Sequence, residues 1–375
     1  MPACKKPVDK ARVEIIDGVE YVHNIETPLH PNKKIAFEED LSIGGDDEKG
    51  NIVLFRPGRR FIVDQNENIY IIDNQDLAIK VFDPNGKYLR TIGRRGEGPG
   101  EFKSIQDHAF LPDGRLLVMD YSAHRSSFFD SSGNFIESYQ WKKSLSQLHF
   151  VTNSSYIVDE YTNVEDKPSE REKLWVKEYN FEGNEICSFG EFVDSRTKQL
   201  REGDRSVTTV VPHSPKSIFA ADQNRQYLYH CLNNNYLIEV YDKSGKVFRK
   251  IDRPYEALPF TSKDADEYRA PYEKLRNELW RKLVKEMPMP KLKTTTPYML
   301  VDDLGNLWVE THEKKEEEDR IITAYDIFNK DGYYEAKVWL DKRPSLFVKG
   351  KMYNMKIDKE TGHIFIKRYR AIWSE

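Results

Sequence analysis

The chain contains 375 residues, of which 38% are hydrophobic and 32% are charged, and its formal net charge is −4 at pH 7. A mildly acidic protein has no general attraction for nucleic acids or anionic membranes, and no apolar run is long enough to span a bilayer. The composition therefore excludes a polybasic nucleic-acid binder and favours many thin sheets joined by long polar loops.

Cys4 lies close to the beginning of the sequence, within MPACKK. This segment resembles a bacterial lipoprotein trimmed to its lipidated cysteine, which implies an extracytoplasmic location, in the periplasm or as an outer-membrane lipoprotein. The alternative is a cytoplasmic protein with an incidental cysteine. Cys187 and Cys231 lie in apolar strand contexts, and each is expected to be a buried free thiol.

The segment from Phe61 to Phe102 contains four short β-rich runs separated by turn sequences. The turns at Asp64–Asn68, Asp73–Asp76 and Asp83–Gly86 combine Asp, Asn, Pro and Gly, which predicts a four-stranded antiparallel meander. Such a sheet cannot bury both faces by itself. The pattern therefore predicts further copies on either side of it.

The same pattern recurs along the chain with a period typical of propeller blades. Gly86 and Gly133 occupy equivalent turns 47 residues apart (133 − 86), and Gly183 follows 50 residues later (183 − 133). The last copy ends one strand short. The copies after the first begin at Asp107, Phe150, Ser217, Tyr298 and Leu346.

The missing strand is predicted at Ile35–Ile43, before the first full copy. An N-terminal strand that completes the C-terminal sheet would close the ring and remove both exposed edges. We therefore predict an all-β fold, a six-bladed β-propeller of four-stranded antiparallel blades. Residues 1–34 are assigned to an N-terminal extension and residues 35–375 to a single propeller domain.

The repeat from Val63 to Phe102 resembles the six-bladed β-propellers related to NHL repeats, which are often bacterial and lipoprotein-like. Its most specific element is the linker Gly96–Phe102, GEGPGEF. The resemblance extends over most of the chain from Ile35 to Trp373. It implies one ring of blades.

Between the fourth and fifth copies, apolar residues recur every three or four positions from Ala265 to Met287. This spacing predicts an amphipathic helical insertion over about 262–290, with Ser262 as N-cap, Pro271 placed to divide it and Pro288 as its stop. The apolar stripe predicts packing over one end of the ring, and the alternative is a lid or partner-docking element. Residues 163–173, 194–209 and 312–320 are expected to be polar loops or linkers.

No sequence pattern of a known catalytic site is present. Gly93–Gly98 imitates a GxGxxG phosphate loop, but Pro99 and a strand follow it where a dinucleotide-binding motif has a helix. No catalytic residue and no metal ligand is assigned.

Cationic or histidine side chains precede five of the six predicted inner strands, which line the channel of a propeller. Because arginine can bind a carboxylate or phosphate through two hydrogen bonds, they predict a funnel for an anionic ligand. The alternative is that these groups form ion pairs between blades. The candidate ligand-binding residues lie at the entries to the inner strands, immediately before the GEGPGEF linker, and in the loop between the second and third strands of copy two. They are Arg59, Arg60, Arg94, Arg95, His108, His124, Arg125, His149, His213 and Lys216.

These observations favour a non-catalytic binding or scaffold propeller at the bacterial cell envelope, with a protein, peptide or glycan ligand. We expect a monomer that binds no nucleic acid, needs no cofactor and meets the membrane only through a lipid anchor. The alternative is a metal-dependent, lactonase-like hydrolase or lyase that acts on a small anionic substrate, with a divalent cation such as calcium in the central channel.

Overall fold

The computed structural model describes residues 11–44, 57–161, 173–222, 226–358, 360 and 363–374, and only the backbone of 57–60. Cys4 and residues 163–172 lie outside this part. Within it, six four-stranded antiparallel blades form the predicted propeller, and blade four carries two additional strands.

Blades one to three follow the chain as simple meanders. Blade one consists of Pro57–Val63, Ile69–Asp73, Ala78–Phe82 and Tyr88–Ile92. Blade two consists of Ile105–Phe110, Leu116–Asp120, Arg125–Phe129 and Phe135–Gln140. Blade three consists of Leu145–Val151, Ser155–Glu160, Lys173–Asn180 and Glu185–Val193.

The remaining elements complete the ring and decorate it. Blade four consists of Ser217–Ala221, Leu228–Leu232, Leu237–Tyr241 and Val247–Asp252, and blade five of Tyr298–Val301, Leu307–Glu317, Arg320–Phe328 and Tyr334–Leu340. Blade six consists of Leu346–Val348, Lys351–Ile357, Ile364–Ser374 and Lys34–Gly44. Outside the blades lie the strands Arg12–Ile16, Val19–His23, Arg94–Arg95, Glu101–Phe102, Thr197–Glu202 and Arg205–Val210, and the helices α1, Ser262–Glu273, and α2, Glu278–Lys285.

The turns between third and fourth strands explain the period of the repeat. The Asp83 carboxylate accepts hydrogen bonds from the backbone N–H groups of Asn85 (2.8 Å) and Lys87 (2.9 Å), and Gly86 adopts a φ of +81°. This left-handed conformation favours glycine. The equivalent turns of the next four blades begin at Asp130, Asn180, Asp242 and Asn329 and contain Gly133, Gly183, Gly245 and Gly332.

The N-terminal strand closes the ring as predicted. Lys34–Gly44 pairs antiparallel with Ile364–Ser374, with Ile35 opposite Trp373 and Ile43 opposite Ile366. It is the outer strand of blade six, so the last sheet contains segments from both ends of the chain. The terminal sheet therefore has its full set of strands.

Hydrophobic clusters lie between each pair of neighbouring blades, including blades six and one. In the cluster between six and one, Ile43 and Ile366 pack with Phe61 and Ile71. Every residue of the second strand of blade one, Ile69–Asp73, is buried, because both faces of the sheet are covered. Each blade therefore obtains its core from its neighbours.

A hairpin from the N-terminal region adds two strands to the outer edge of blade four. These residues are assigned from the sequence to an N-terminal extension, and this pairing was not predicted. Val19–His23 pairs in parallel with the outer strand Val247–Asp252, and Arg12–Ile16 adds a further strand. Asn24 then bridges to blade five, accepting from the backbone N–H of Tyr334 (2.8 Å) and donating to the carbonyl of Gly332 (2.9 Å). The hairpin is thus fastened to two blades.

Ring closure can be tested with two isoleucines of the N-terminal region. Ile43→Ala should lower the free energy of unfolding by about 2–5 kcal/mol, since it leaves a cavity between blades six and one. Ile15→Ala, at a side chain that is 76% exposed, should change it by less than about 0.5 kcal/mol. Urea unfolding of both variants measures the difference, and equal effects would contradict the proposed closure.

Candidate binding surface

The topology divides the connections between two faces of the ring. The turns between second and third strands and the linkers between blades lie on one face, here called the upper face. The turns after the first and third strands lie on the lower face. The predicted funnel residues belong to the upper half of the ring.

The two arginines that immediately precede the GEGPGEF linker are held by that linker and by blade one. Arg94 donates to the carboxylate of Glu101 (2.8 Å), and Arg95 donates to the carbonyl of Gln75 (2.9 Å). The pKa of Glu101 is lowered, first by the backbone N–H of Gly98 (2.9 Å) and then by Arg94. Arg94 therefore forms an ion pair with the adjoining linker, and Arg95 binds a backbone carbonyl of blade one.

Arg125 and His124 stabilise the same region from blade two. Arg125 is buried and donates to the carbonyl groups of Glu97 (3.1 Å) and Glu101. His124 adopts a φ of +49°, and its ring lies 6.5 Å from that of Trp141. The structure therefore brings Arg94 and Arg125 together on one linker.

Two of the predicted histidines lie between blades instead of lining an open funnel. His108 is 3% exposed, and its Nε2 lies 3.2 Å from the carbonyl oxygen of Tyr70 in blade one. The His149 side chain is 2% exposed, binds Asp159 (2.6 Å) and packs against Phe219 of blade four. Both positions hold neighbouring blades together.

The remaining candidates are dispersed. The backbone N–H of Lys216 donates to the side-chain Oδ1 of Asn233 (2.9 Å), and the Lys216 carbonyl accepts from the backbone N–H of Asn233 (3.0 Å). Arg59 and Arg60 lie on the inner strand of blade one, but their side chains lie outside the described part. The described candidates do not converge on one point, and ligand binding by any of them stays a prediction.

Three segments form a raised structure over blades three to five, which we call the crown. It comprises residues 194–216, residues 253–297 and the end of the blade-five hairpin, 311–323. The expected linker at 194–209 is wrong, because Thr197–Glu202 and Arg205–Val210 pair as a hairpin. The expected loop at 312–320 is also wrong, because the second and third strands of blade five extend through it to a turn at Glu318 and Asp319.

The insertion is helical and divided, as predicted, but its details differ. Thr261 is the N-cap of α1, one residue before the predicted Ser262, and forms a capping box with Asp264. Pro271 lies inside α1, and the interruption follows at Lys274, before α2 begins with the N-cap Asn277. A hydroxyl residue is equally suitable at either N-cap position, so sequence could not separate them.

The crown has a hydrophobic core of its own. Val207 and Val211 pack against Leu279, Leu283 and Met287 of the helical insertion. At its edge, Lys282 of α2 pairs with Glu202 (2.6 Å), and Tyr268 of α1 donates to the carbonyl of Val210 (3.2 Å). This core is separate from the clusters between blades.

A pair of histidines joins the crown segments to one another. The Nδ1 of His213 accepts a hydrogen bond from the backbone N–H of Thr294 (3.1 Å), and the Thr294 hydroxyl lies 3.0 Å from Nε2 of His312. The two imidazole rings are 4.8 Å apart. Burial, followed by the neighbouring positive charge of Lys293, lowers the pKa of His213, and burial followed by His213 lowers that of His312 to about 4.

A cavity of about 560 Å³ lies beside the junction of blades four and five. In its wall, Arg253 donates to the fully buried Asp326 (2.9 Å), which also accepts from Tyr236 and Tyr334 (2.6 Å each). The guanidinium group is 4.8 Å from the ring of Tyr236. The charge of Arg253 is therefore neutralised within the fold. Its partner Asp326 is 73 residues further along the chain, so the pair could not be inferred from local sequence.

In the part of the chain that the structure describes, no three His, Cys, Asp or Glu side chains are grouped as a metal site, and no helix has the length and apolarity to cross a membrane. Cys231 is a buried free thiol as predicted, whereas Cys187 is only half-buried. Burial raises the pKa of Cys187 to about 11 and that of Cys231 to about 12.

Comparison with known proteins agrees with this architecture. Residues 60–140 match the DUF5128 family, described as a 6-bladed beta-propeller. No curated protein matches the sequence. The chain is a six-bladed β-propeller, which confirms the fold expected from its repeats.

Solved structures share the fold at low sequence identity. A DUF4221 family member from Bacteroides vulgatus is 9% identical with a TM-score of 0.55, over 91% of this chain and 99% of the other. A protein of Bacteroides fragilis that is predicted to be exported is 10% identical with a TM-score of 0.52, over 93% and 99%. The calcium-binding protein regucalcin of Agrobacterium tumefaciens has a TM-score of only 0.40 and 9% sequence identity, over 89% of this chain and 93% of the other.

The histidine pair predicts acid-sensitive stability. Because the pKa of His312 lies below the ordinary value of about 6.5, the unfolded chain binds more protons, and stability should fall as pH decreases from about 6.5 to 4. The contribution should be of the order of 1–3 kcal/mol after allowance for partial exposure.

Urea unfolding of wild type and the double variant His213→Asn/His312→Gln over this pH range measures the effect. Asparagine keeps an acceptor for the Thr294 N–H and tolerates the φ of +51° at position 213. The variant should show a shallower pH dependence. Parallel curves would show that the pair does not control acid stability.

Proposed function

We propose that the protein is a non-catalytic binding propeller that holds a protein partner on the crown. The observation that carries the proposal is the separate core formed by the 197–210 hairpin and α2. Six blades close through their own clusters, so ring closure does not require this additional layer. Loops supported by a rigid scaffold are the usual place for recognition.

The crown surface has the mixed character of a protein-binding surface. Val210 (45% exposed), Leu275 (40%) and Ile321 (67%) each expose an apolar side chain on a different crown segment. Exposed ion pairs lie on the same crown segments, including Lys282 with Glu202 and Arg320 with Glu318. Apolar contacts within a polar rim are typical of protein interfaces. A protein partner therefore suits this surface better than a small ligand.

The apolar crown residues provide a direct test with a matched control. In Leu275→Ser/Ile321→Ser, the partner proteins recovered from the native host by crosslinking should fall at least about tenfold, since both contacts become polar. Leu304→Ser, at a side chain that is 76% exposed on the lower face of blade five, should recover them as wild type does. Equal recovery by all three proteins would contradict a crown interface, provided that their melting temperatures agree.

An extracytoplasmic location belongs to the same proposal. It is supported by the resemblance of the Cys4 segment to a lipoprotein and by the fold shared with the Bacteroides fragilis protein predicted to be exported. If the native gene is expressed with its upstream sequence, mass spectrometry should find a lipid-modified peptide beginning at Cys4. Cys4→Ser should release the protein from the membrane fraction. An unmodified Cys4 in membrane-free wild type would argue for the incidental cysteine.

A further inference from the structure

Blade six has an inner strand that is much shorter than the strand beside it. Leu346–Val348 pairs only with Lys351–Tyr353, whereas the second strand continues to Ile357 and the third spans Ile364–Ser374. Asn354 is the first residue beyond this inner pairing. The upper half of the second strand therefore lacks an inner-strand partner in the described part of the chain.

A cavity of about 470 Å³ lies at this position, between blade six and the linker that follows blade five. Its apolar wall is formed by Phe37 and Tyr369, and Asn354 lies within its lining. The volume suits a small molecule of one or two rings. The other lining residues are Glu39, Asp341, Lys342, Met355, Lys356 and Lys367.

Asn354, in the lining of this cavity, has an unused hydrogen-bond acceptor. Asn354 is only 7% exposed, and its Oδ1 atom has no hydrogen-bond partner among the described residues. A buried acceptor without a partner is costly, and such groups are rare in folded proteins. A neutral hydroxyl or amide donor from a bound molecule would satisfy it.

The charges of the lining leave one cation in excess. Glu39 binds Lys367 through both carboxylate oxygens (2.8 Å each), and Asp341 binds Lys342 (2.6 Å) and Arg320 (3.3 Å). Lys356 has no ion-pair partner in the described residues. The site therefore matches a ligand with one negative charge as well as hydroxyl donors.

We infer that this cavity is a binding site for a sugar acid, a hydroxyl-rich ring carrying one carboxylate. A ligand hydroxyl donates to Asn354 Oδ1, the ring packs against Phe37, and the carboxylate pairs with Lys356. Neither the crown core nor the exposed apolar crown residues take part. The site meets the crown at Arg320, which binds Asp341 of the cavity lining (3.3 Å), but it shares no residue with the exposed apolar contacts of the proposed interface.

Calorimetric titration with glucuronate, glucose, acetate and glycine tests the three contacts separately. Glucuronate should bind, glucose should bind at least about tenfold more weakly because it lacks the charge, and acetate and glycine should not bind measurably. Binding of acetate or glycine as tightly as glucuronate, or no heat with glucuronate, would overturn the inference.

Two variants and one control variant assign the contacts. Lys356→Met should reduce the glucuronate affinity to that of glucose, and Lys349→Met, the same change on the lower face, should leave it unaltered. Asn354→Leu should weaken glucuronate and glucose alike by about tenfold or more while the melting temperature of the unliganded protein stays equal or rises, because an unpaired acceptor has been removed. A lower melting temperature would show that the amide supports the fold, which contradicts a ligand role.

The crown variant separates this inference from the proposed function. Leu275→Ser/Ile321→Ser should bind glucuronate with wild-type affinity even if it loses its protein partner. Loss of glucuronate binding in that variant would overturn the independent site, whereas loss of the partner alone would support both assignments.

Discussion

The pairing of Lys34–Gly44 with Ile364–Ser374 is the interaction on which the ring depends. It places Ile43 and Ile366 against blade one, and so gives the first and last blades the neighbours that each of the others obtains from the sequence order. A blade with buried central strands requires cover on both faces. Closure uses strands and not the linkers between blades, so these linkers can be longer without opening the ring, and the two largest additions, residues 194–216 and 253–297, occur in them.

Blade number and repeat period were predictable because they rest on short-range chemistry, and closure was predictable because the last copy lacks one strand and an apolar segment precedes the first copy. Asp83 and Gly86 form a turn whose hydrogen bonds are local, and the same pattern recurs through the blades. The helical insertion was predictable from its apolar spacing, but its interruption follows Lys274, because α1 continues through Pro271. The position of Thr261 in place of Ser262 shows the limit, since two adjacent hydroxyl residues satisfy the same capping chemistry.

The crown hairpins and the contacts made by the cationic and histidine side chains depend on residues that are distant in the sequence. Residues 197–210 have the composition of a linker, but the hairpin that they form is stabilised by burial of Val207 against α2. His108 and His149 stand at channel positions in the sequence, but strand register turns them toward neighbouring blades. Register to within one residue decides which face a side chain occupies, and composition does not determine it.

A repeat protein uses many of its charged residues to join one copy to the next. Arg125 shows this, because a buried cation that binds two linker carbonyls serves the ring and is not available to a ligand. Departures from the repeat are more informative. The crown has a core that closure does not need, and Asn354 retains an unpaired acceptor where the inner strand of blade six ends. Such a group costs about 1–3 kcal/mol, and ring stability gives no reason to keep it. We therefore expect the functional residues of this propeller at the positions where the repeat pattern is interrupted.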